Sequence, residues 1–577
     1  MKKFHSIITA LLFFQYTYAQ WPANYGGVML QGFYWDSYED TQWTNLTAQA
    51  DELSTYFDLI WVPNSAYCTD GKSMGYDPMY WLRHKSSFGQ HRELIDMIKT
   101  YKEKGVGFIE DVVLNHKKAK SGWCDFVNET WTHDGITEEI NWSLADICQN
   151  DDGGYTQQQG YNVTGANDTG EDFSGYRDLD HTGANVQKNC KIYLRYLLQY
   201  IGYVGFRLDM VKGYGAQYTK MYNEEAKPQF CVGEYWDGSV NNVTNWINGT
   251  GKTSAAFDFP LKYVIRDAFG GGNWSALSSK GIAGSPDWNR YSVTFIDNHD
   301  TYENQDRLVN NVLAANAFIL AMPGTPCIFL KHWQRYPIAL GNMILARKAA
   351  GITNQSSITK QQTAGGGYVI EVKGTKGSVL CLSGTPDYDT NGWKCISAGT
   401  NYAYYVSSDV TVSGLRNGND DEQFYKNLPD CVKPIEGHLY CYFQTNKDYP
   451  TPYIWIWGEN NKNFNKNNSW PGDAMTKVGS DKEGHDIYVW DGGELGSELP
   501  TGVLFSNNGN PQTADFQFNN GGYYDASGYL TSATVDVKTI ELTPSAGKTQ
   551  RYNLGGQRVA NGYRGLVIEN GKKIIVR

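Results

Sequence analysis

The chain is short of three things, and each absence narrows its function. It has no excess of base: 50 Lys and Arg stand against 61 Asp and Glu, a formal net charge of −11 over 577 residues. That balance argues against nucleic acid or an anionic membrane surface as the main partner. Beyond the N-terminus it has no run of 18 or more apolar residues, so no transmembrane segment is expected. It has no low-complexity tract. What it has in quantity is aromatic, 41 Tyr and 18 Trp. Aromatic faces pack against the C–H faces of pyranose rings, and they also fill ordinary cores. Composition does not choose between these uses.

Residues 1–19, MKKFHSIITALLFFQYTYA, carry two lysines, an apolar run Ile7–Phe14 and Thr17-Tyr18-Ala19. This pattern predicts a signal peptide cleaved after Ala19, hence a secreted or cell-surface protein. Export makes the ten cysteines candidate disulfides. Cys124 and Cys148, Cys381 and Cys395, and Cys431 and Cys441 are near neighbours, although some could equally be free core thiols. The sequons at Asn45 and Asn162 are glycan acceptors only in a suitable host.

From about 25 to 330, short apolar runs alternate with amphipathic stretches. Gly27–Phe33, Leu59–Val62, Gly107–Val113, Gly205–Leu208, Gln229–Gly233, Tyr291–Ile296 and Pro326–Leu330 read as strands. Asn45–Tyr56, Glu93–Lys104, Val186–Tyr200 and Val312–Ala321 read as helices. The alternation predicts a parallel barrel or a doubly wound sheet. Asp111, Asp209, Glu234 and Asp300 fall at or just past strand C-termini, which selects the (β/α)8 barrel, over residues 20–353. The 70 residues between Asn115 and Val186 are too long for a plain loop, and predict a small domain inserted after the third strand, at 117–180. From 354 the apolar period becomes two. A small antiparallel β domain is expected at 354–408, a linker at 409–435, a second β domain at 436–530 and a terminal segment at 537–577.

The stretches GFRLDMVKGYG (205–215) and FCVGEYWDG (230–238) each end a strand in an acid. Asp209 and Glu234 lie one βα unit apart, so their carboxyls can converge. Retaining hydrolysis of a glycosidic bond needs such a pair, one carboxylate to attack and one to exchange protons. Arg207 shares a strand face with Asp209 and can hold it by charge and hydrogen bonding. Asp300, in FIDNHD, is the third acid, suited to a cationic transition state. Any one of these acids alone is as compatible with a salt bridge or helix cap.

DVVLNH (111–116), GFRLDMVKGY (205–214), GEYWDG (233–238) and FIDNHD (295–300) resemble, in order and spacing, the four sequence regions of the α-amylase family of glycoside hydrolases. QGFYWD (31–36), GYDP (75–78) and PGTPCIF (323–329) add to the likeness, which covers about 25–405. It implies a TIM barrel, an inserted domain and a small C-terminal β domain. It implies Asp209 as nucleophile, Glu234 as general acid/base and Asp300 as transition-state stabiliser. Arg207, His116, His299, Tyr76, Lys212 and Trp236 match substrate-site positions. Gly213 stands where a histidine is frequent, a departure shared with plant-type members.

DTGEDFSGYRDLDH (168–181) resembles the calcium segment of those enzymes. The likeness implies Asn115, Asp168 and Asp178 as side-chain ligands of Ca2+ and Glu171 and Gly213 as carbonyl ligands, although an acid-rich loop also exists without an ion. A hard cation suits such oxygens. Residues 436–525, with YIWIW, SWPG and NNGGYY, resemble a starch-binding module, with Tyr453, Trp455 and Trp470 for sugar stacking. Trp457 could equally be core. The last residues resemble a sorting segment of Bacteroidetes-type secreted proteins, or form a plain hairpin.

The expected activity is endo-hydrolysis of α-1,4 bonds in starch, amylose and maltooligosaccharides by a monomer. The alternatives are an α-glucosidase, branching or transglycosylating relative, or a non-catalytic starch-binding surface protein.

Overall fold

The computed structural model describes residues 20–532, except 419, 421–427, 430, 436, 460–461, 482–483 and 497, and the backbone of four short strands between 551 and 576. The expected signal peptide lies outside these residues. The chain divides into two units, Met1–Asp420 and Asp421–Arg577.

The first unit is built on eight parallel strands: β1 (Met29–Gln31), β2 (Leu59–Val62), β3 (Gly107–Val112), β4 (Gly205–Leu208), β5 (Phe230–Gly233), β6 (Ala255–Phe257), β7 (Ser292–Phe295) and β8 (Thr325–Phe329). They close into one barrel in sequential order. The strands are buried on both faces because one face fills the barrel and the other meets the surrounding helices. β6 escapes the sequence reading. It is three residues long, two of them alanine, and its clearest mark follows it: Asp258 caps helix Phe259–Ile265 by accepting from Leu261 N–H at 3.0 Å.

Elsewhere boundaries shift for local reasons. The expected helix 45–56 breaks at Gln49 into Trp43–Ala48 and Ala50–Tyr56. The expected helix 186–200 runs Ala184–Tyr196 and ends in a wider turn, Leu197–Ile201, stopped by left-handed Gly202.

Strand register brings the strand-end residues together. β3 and β4 pair Arg207 with Asp111, and β4 and β5 pair Leu208 with Gly233. Asp209 and Glu234, each one residue further on, therefore stand level at the C-terminal rim. β4 and β5 approach so closely that a Cβ on Gly205 would lie 1.7 Å from the Phe230 carbonyl oxygen, so only glycine fits there.

The segment after β3 forms small sheets. His116–Lys117 pairs with Arg177–Asp178, and a hairpin joins Glu129–His133 to Ile136–Ile140. Past the barrel, Ser357–Ala364, Gly367–Lys373, Ser378–Gly384, Trp393–Gly399 and Tyr402–Ser407 make a five-stranded antiparallel sheet. Within the expected linker, Arg416 N–H donates to Asn342 Oδ1, and Asp420 accepts from Ile338 and Ala339 N–H at the start of helix Pro337–Ala350.

The second unit holds a five-stranded and a four-stranded sheet. Phe443 of the first stacks on Phe505 of the second with centroids 4.2 Å apart, the packing of a sandwich. The backbone of Arg551–Asn553, Arg558–Val559, Gly565–Glu569 and Lys572–Val576 forms a further antiparallel sheet.

The cysteines correct an expectation. None of the three neighbouring pairs is bridged by a disulfide. Seven of the ten are buried and serve as small apolar side chains. Cys381 lies in the core while Cys395 is exposed, so the two thiols occupy different environments of one sheet.

Candidate active site

At the C-terminal rim the guanidinium of Arg207, fully buried, meets three carboxylates. Its Nη1 lies 2.7 Å from Asp111 Oδ1 and 2.5 Å from Asp209 Oδ1, and its Nη2 lies 2.6 Å from Glu234 Oε1. The planar fork of arginine suits this sharing, which a lysine point charge would not reproduce. The Trp61 ring lies under the guanidinium, 5.1 Å away, and Trp61 Nε1–H donates to Asp111 Oδ2 at 3.2 Å. Tyr76 O–H donates to the same oxygen at 2.9 Å.

A second set of contacts fixes His299. Its Nε2 lies 2.5 Å from Tyr76 Oη and 3.3 Å from Asp300 Oδ2, and its Nδ1 lies 3.0 Å from Gln31 Nε2. The Trp35, Tyr76 and His299 rings are nearly parallel, with mutual centroid distances of 5.9, 5.5 and 5.8 Å, and Trp35 is 38% exposed. Together they form an aromatic wall beside the acids. His116 is held by the Tyr76 carbonyl at 2.9 Å and stacks on Phe173 at 4.3 Å.

One cation among buried acids leaves protons in the pocket. Burial pushes Glu234 well above its ordinary value; Arg207 opposes this, while Asp209 and Asp300 add to it. Burial takes Asp111 up to about 7 against the pull of Arg207, and burial raises Asp300 too. Burial, with Arg207 adding to it, holds His299 neutral. Burial opposes the charge on Arg207 itself, but its three carboxylates more than offset that. The site thus contains an acid able to give up a proton at neutral pH beside a second carboxyl within reach of the same guanidinium. That is the equipment for acid-assisted displacement at an acetal carbon.

The structure brings together Arg207, Asp209, Glu234, Asp300, His299, Tyr76 and His116 as linked neighbours. Two others sit apart from Arg207's contacts. Lys212 Nζ lies 3.4 Å from Asp237 and 3.5 Å from Glu171, and Trp236 stacks on Phe259 and donates to Tyr263 Oη at 2.8 Å. Sequence reading gave no site role to Asp111, Trp61, Gln31 or Trp35. Asp111 was visible as a strand-end acid, but its pairing with Arg207 depends on register.

In the inserted region Asp168, Asp172 and Asp178 offer carboxylate oxygens within 4.8 Å of one another. Asp172 is an addition to the expected set. The buried Oδ2 of Asp168 has no hydrogen-bond partner. Burial, with Asp168, Asp151 and Asp172 nearby, pushes Asp178 up to about 9. Asn115 donates to Asp178 Oδ1 at 3.1 Å, and Gly213 lies so close that a Cβ there would sit 1.8 Å from Asn115 Oδ1. This convergence of hard oxygens fits a divalent cation. The Glu171 side chain turns away to Lys212, while its N–H donates to the Lys212 carbonyl at 2.9 Å.

In the second unit, strand Pro452–Trp457 buries Ile454 and Ile456 and leaves Tyr453, Trp455 and Trp457 half-exposed on the other face. Trp470 is 46% exposed and meets Trp455 edge-on, centroids 6.0 Å apart. Trp457 lies over Gly502. The aromatic face is therefore the outer one.

A TIM barrel with paired acids on a shared arginine at its C-terminal rim is the frame on which carboxylate-pair glycoside hydrolases are built. Comparison with known proteins makes this particular. Residues 55–332 match the α-amylase catalytic domain and residues 441–518 match starch-binding module 26. The chain is 28% identical over 408 residues to probable alpha-amylase 2 of Arabidopsis thaliana, covering 66% of this chain and 93% of that protein. It is 30% identical over 329 residues to alpha-amylase 3, chloroplastic, of the same plant, spanning 35% of that protein, and 26% identical over 394 residues to an alpha-amylase of Geobacillus stearothermophilus, spanning 71% of it. The chain belongs to the α-amylase family of glycoside hydrolases and carries a C-terminal starch-binding module.

Replacing Arg207 with methionine leaves its carboxylates buried without their cation, at a cost of about 3–5 kcal/mol. Asp111 already has a folded value near 7 against an ordinary 3.8, and losing the cation raises it further. A raised carboxyl is destabilising once the unfolded chain ionises more readily than the folded one. The Arg207→Met melting temperature therefore drops more at pH 8 than at pH 5 relative to the parent, as followed by circular dichroism.

Proposed function

We propose that this α-amylase is an endo-acting, retaining α-1,4-glucan hydrolase in which Asp209 attacks the anomeric carbon, Glu234 protonates the leaving oxygen and Asp300 stabilises the cationic transition state. The observation that carries this reading is the single guanidinium of Arg207 joined to both Asp209 and Glu234. Glu234, raised by burial, keeps the proton the leaving group needs. After departure the same carboxylate takes a proton from water, which then opens the glycosyl–Asp209 ester with net retention. The Trp35–Tyr76–His299 wall offers ring faces to the sugar beside the cleavage point, and neutral His299 supplies a hydrogen bond. Lys212 and Trp236 are assigned to flanking sugars.

Asp168, Asp172, Asp178 and Asn115 would hold Ca2+, with carbonyls of Glu171 and Gly213 completing the set. The ion would supply cross-linking charge between the inserted region and the turn after β4. The N-terminal lysines and apolar run support export, and the terminal residues 537–577 support sorting to the cell surface. Tyr453, Trp455 and Trp470 are the candidate granule contacts, which would add avidity on insoluble starch.

On soluble amylose with calcium, iodine colour falls fast while few reducing ends appear, and Asp209→Asn abolishes both. Slow colour loss with glucose or maltose release would make the chain exo-acting; no turnover by folded protein would favour a binding role. Because Glu234 must be protonated, kcat falls as pH rises through its elevated value. Chelation lowers the melting temperature by several degrees, calcium restores it, and Asp178→Ala removes the difference. The pair Tyr453→Ala and Trp470→Ala weakens granule sedimentation roughly tenfold to a hundredfold, from about 0.5–1.5 kcal/mol per lost stacking contact, with soluble turnover unchanged.

A further inference from the structure

Ten non-glycine residues among those described have positive φ, and seven of them are Asn or Asp. Of the remaining three, Lys227 and Lys252 lie at a helix end and a surface turn. The third is Met210, φ +44°, directly after Asp209. A left-handed methionine is costly, and such strain persists where the surroundings enforce it. Its effect here is specific. The left-handed step lets Met210 N–H point to Glu234 Oε2, 3.1 Å away, while Arg207 holds Glu234 Oε1 at 2.6 Å. The turn is closed by Gly213 N–H donating to the Met210 carbonyl at 2.9 Å. Glu234 is thereby gripped at both oxygens, one by a side chain and one by the backbone.

We propose that Met210 is a positioning residue, whose left-handed backbone presents its amide to the Oε2 of Glu234 and aims the acid/base at the leaving oxygen. This rests on the role given to Glu234 above. The side chain of Met210 is incidental; the required features are an N–H and a residue that tolerates the conformation. The charged groups around Glu234 are Arg207 and Asp209 on β4 and its turn, Asp111 beyond Arg207 on β3, and Asp300 after β7. An N–H donated to a carboxylate favours its ionised form, so losing it moves the pH at which Glu234 releases its proton upward.

The test compares the full chain with Met210→Val, Met210→Asn and Met210→Gly on soluble starch, measuring kcat and KM from pH 4 to 10. Valine, β-branched, resists the left-handed region, whereas Asn and Gly accept it. The expected result is a kcat loss of roughly tenfold or more for Val at little change in KM, with the basic limb displaced upward. Asn and Gly keep the limb in place. A Val variant with parental kcat and limb, or a Gly variant displaced like Val, overturns the proposal. If Val fails to fold, the backbone ester at position 210, which deletes only the N–H, gives the same reading: an unmoved limb overturns it. Complete inactivity of Glu234→Gln alongside an unmoved limb separates failure of this inference from failure of the acid/base assignment.

Discussion

The site depends on one buried guanidinium. Arg207 is the cation through which Asp111, Asp209 and Glu234 are held together, and it lies on a strand rather than on a mobile loop. Without it, three carboxyls in a pocket of low dielectric would stay protonated or splay apart. With it, burial still keeps a proton on Glu234, the charges of Asp209 and Asp300 adding to the effect that Arg207 opposes. Stability and chemistry thus draw on the same arrangement: the charge that makes burial tolerable is too small to ionise every acid.

The barrel's register gives this arrangement its precision. Pairing of Arg207 with Asp111 and of Leu208 with Gly233 sets Asp209 and Glu234 level. Gly205 allows β4 and β5 to approach at that point. The turn that follows carries Met210 to Glu234 at one end and Gly213 to Asn115 at the other. The inserted region reaches the same turn through Glu171 N–H on the Lys212 carbonyl. The acid cluster of the insert and Glu234 of the barrel are therefore joined by four residues of backbone.

Much of this was legible in the sequence, for physical reasons. Amphipathic helices such as His91–Lys102 declare their period, and buried strands declare themselves as short apolar runs; helix Val312–Ala321, apolar on nearly every face, falls on its expected bounds. The acids pointed to a site only as a set, four of them at the C-terminal ends of barrel strands, where such a fold places its chemistry. The rest required three dimensions. β6 is too short to show a period. The partnership of Asp111 with Arg207 spans 96 residues and is set by register. Asp172 is an exposed acid among others until the loop folds it toward Asp168. Seven of the ten thiols are buried as small apolar side chains, a placement that spacing along the chain does not reveal. In the second unit, alternation along Pro452–Trp457 located the aromatic face, and the depth of Ile454 and Ile456 decided which face was core.

The central claim is that Asp209 and Glu234, sharing Arg207, divide the reaction into attack and proton transfer. Its most direct test is mass spectrometry of the enzyme incubated with a fluorinated α-maltosyl fluoride, which forms the glycosyl ester faster than water can open it. The account predicts one added glycosyl mass on the proteolytic peptide containing Asp209 and none on those containing Glu234 or Asp300. A label on either of those, or turnover with no covalent species at all, would contradict it.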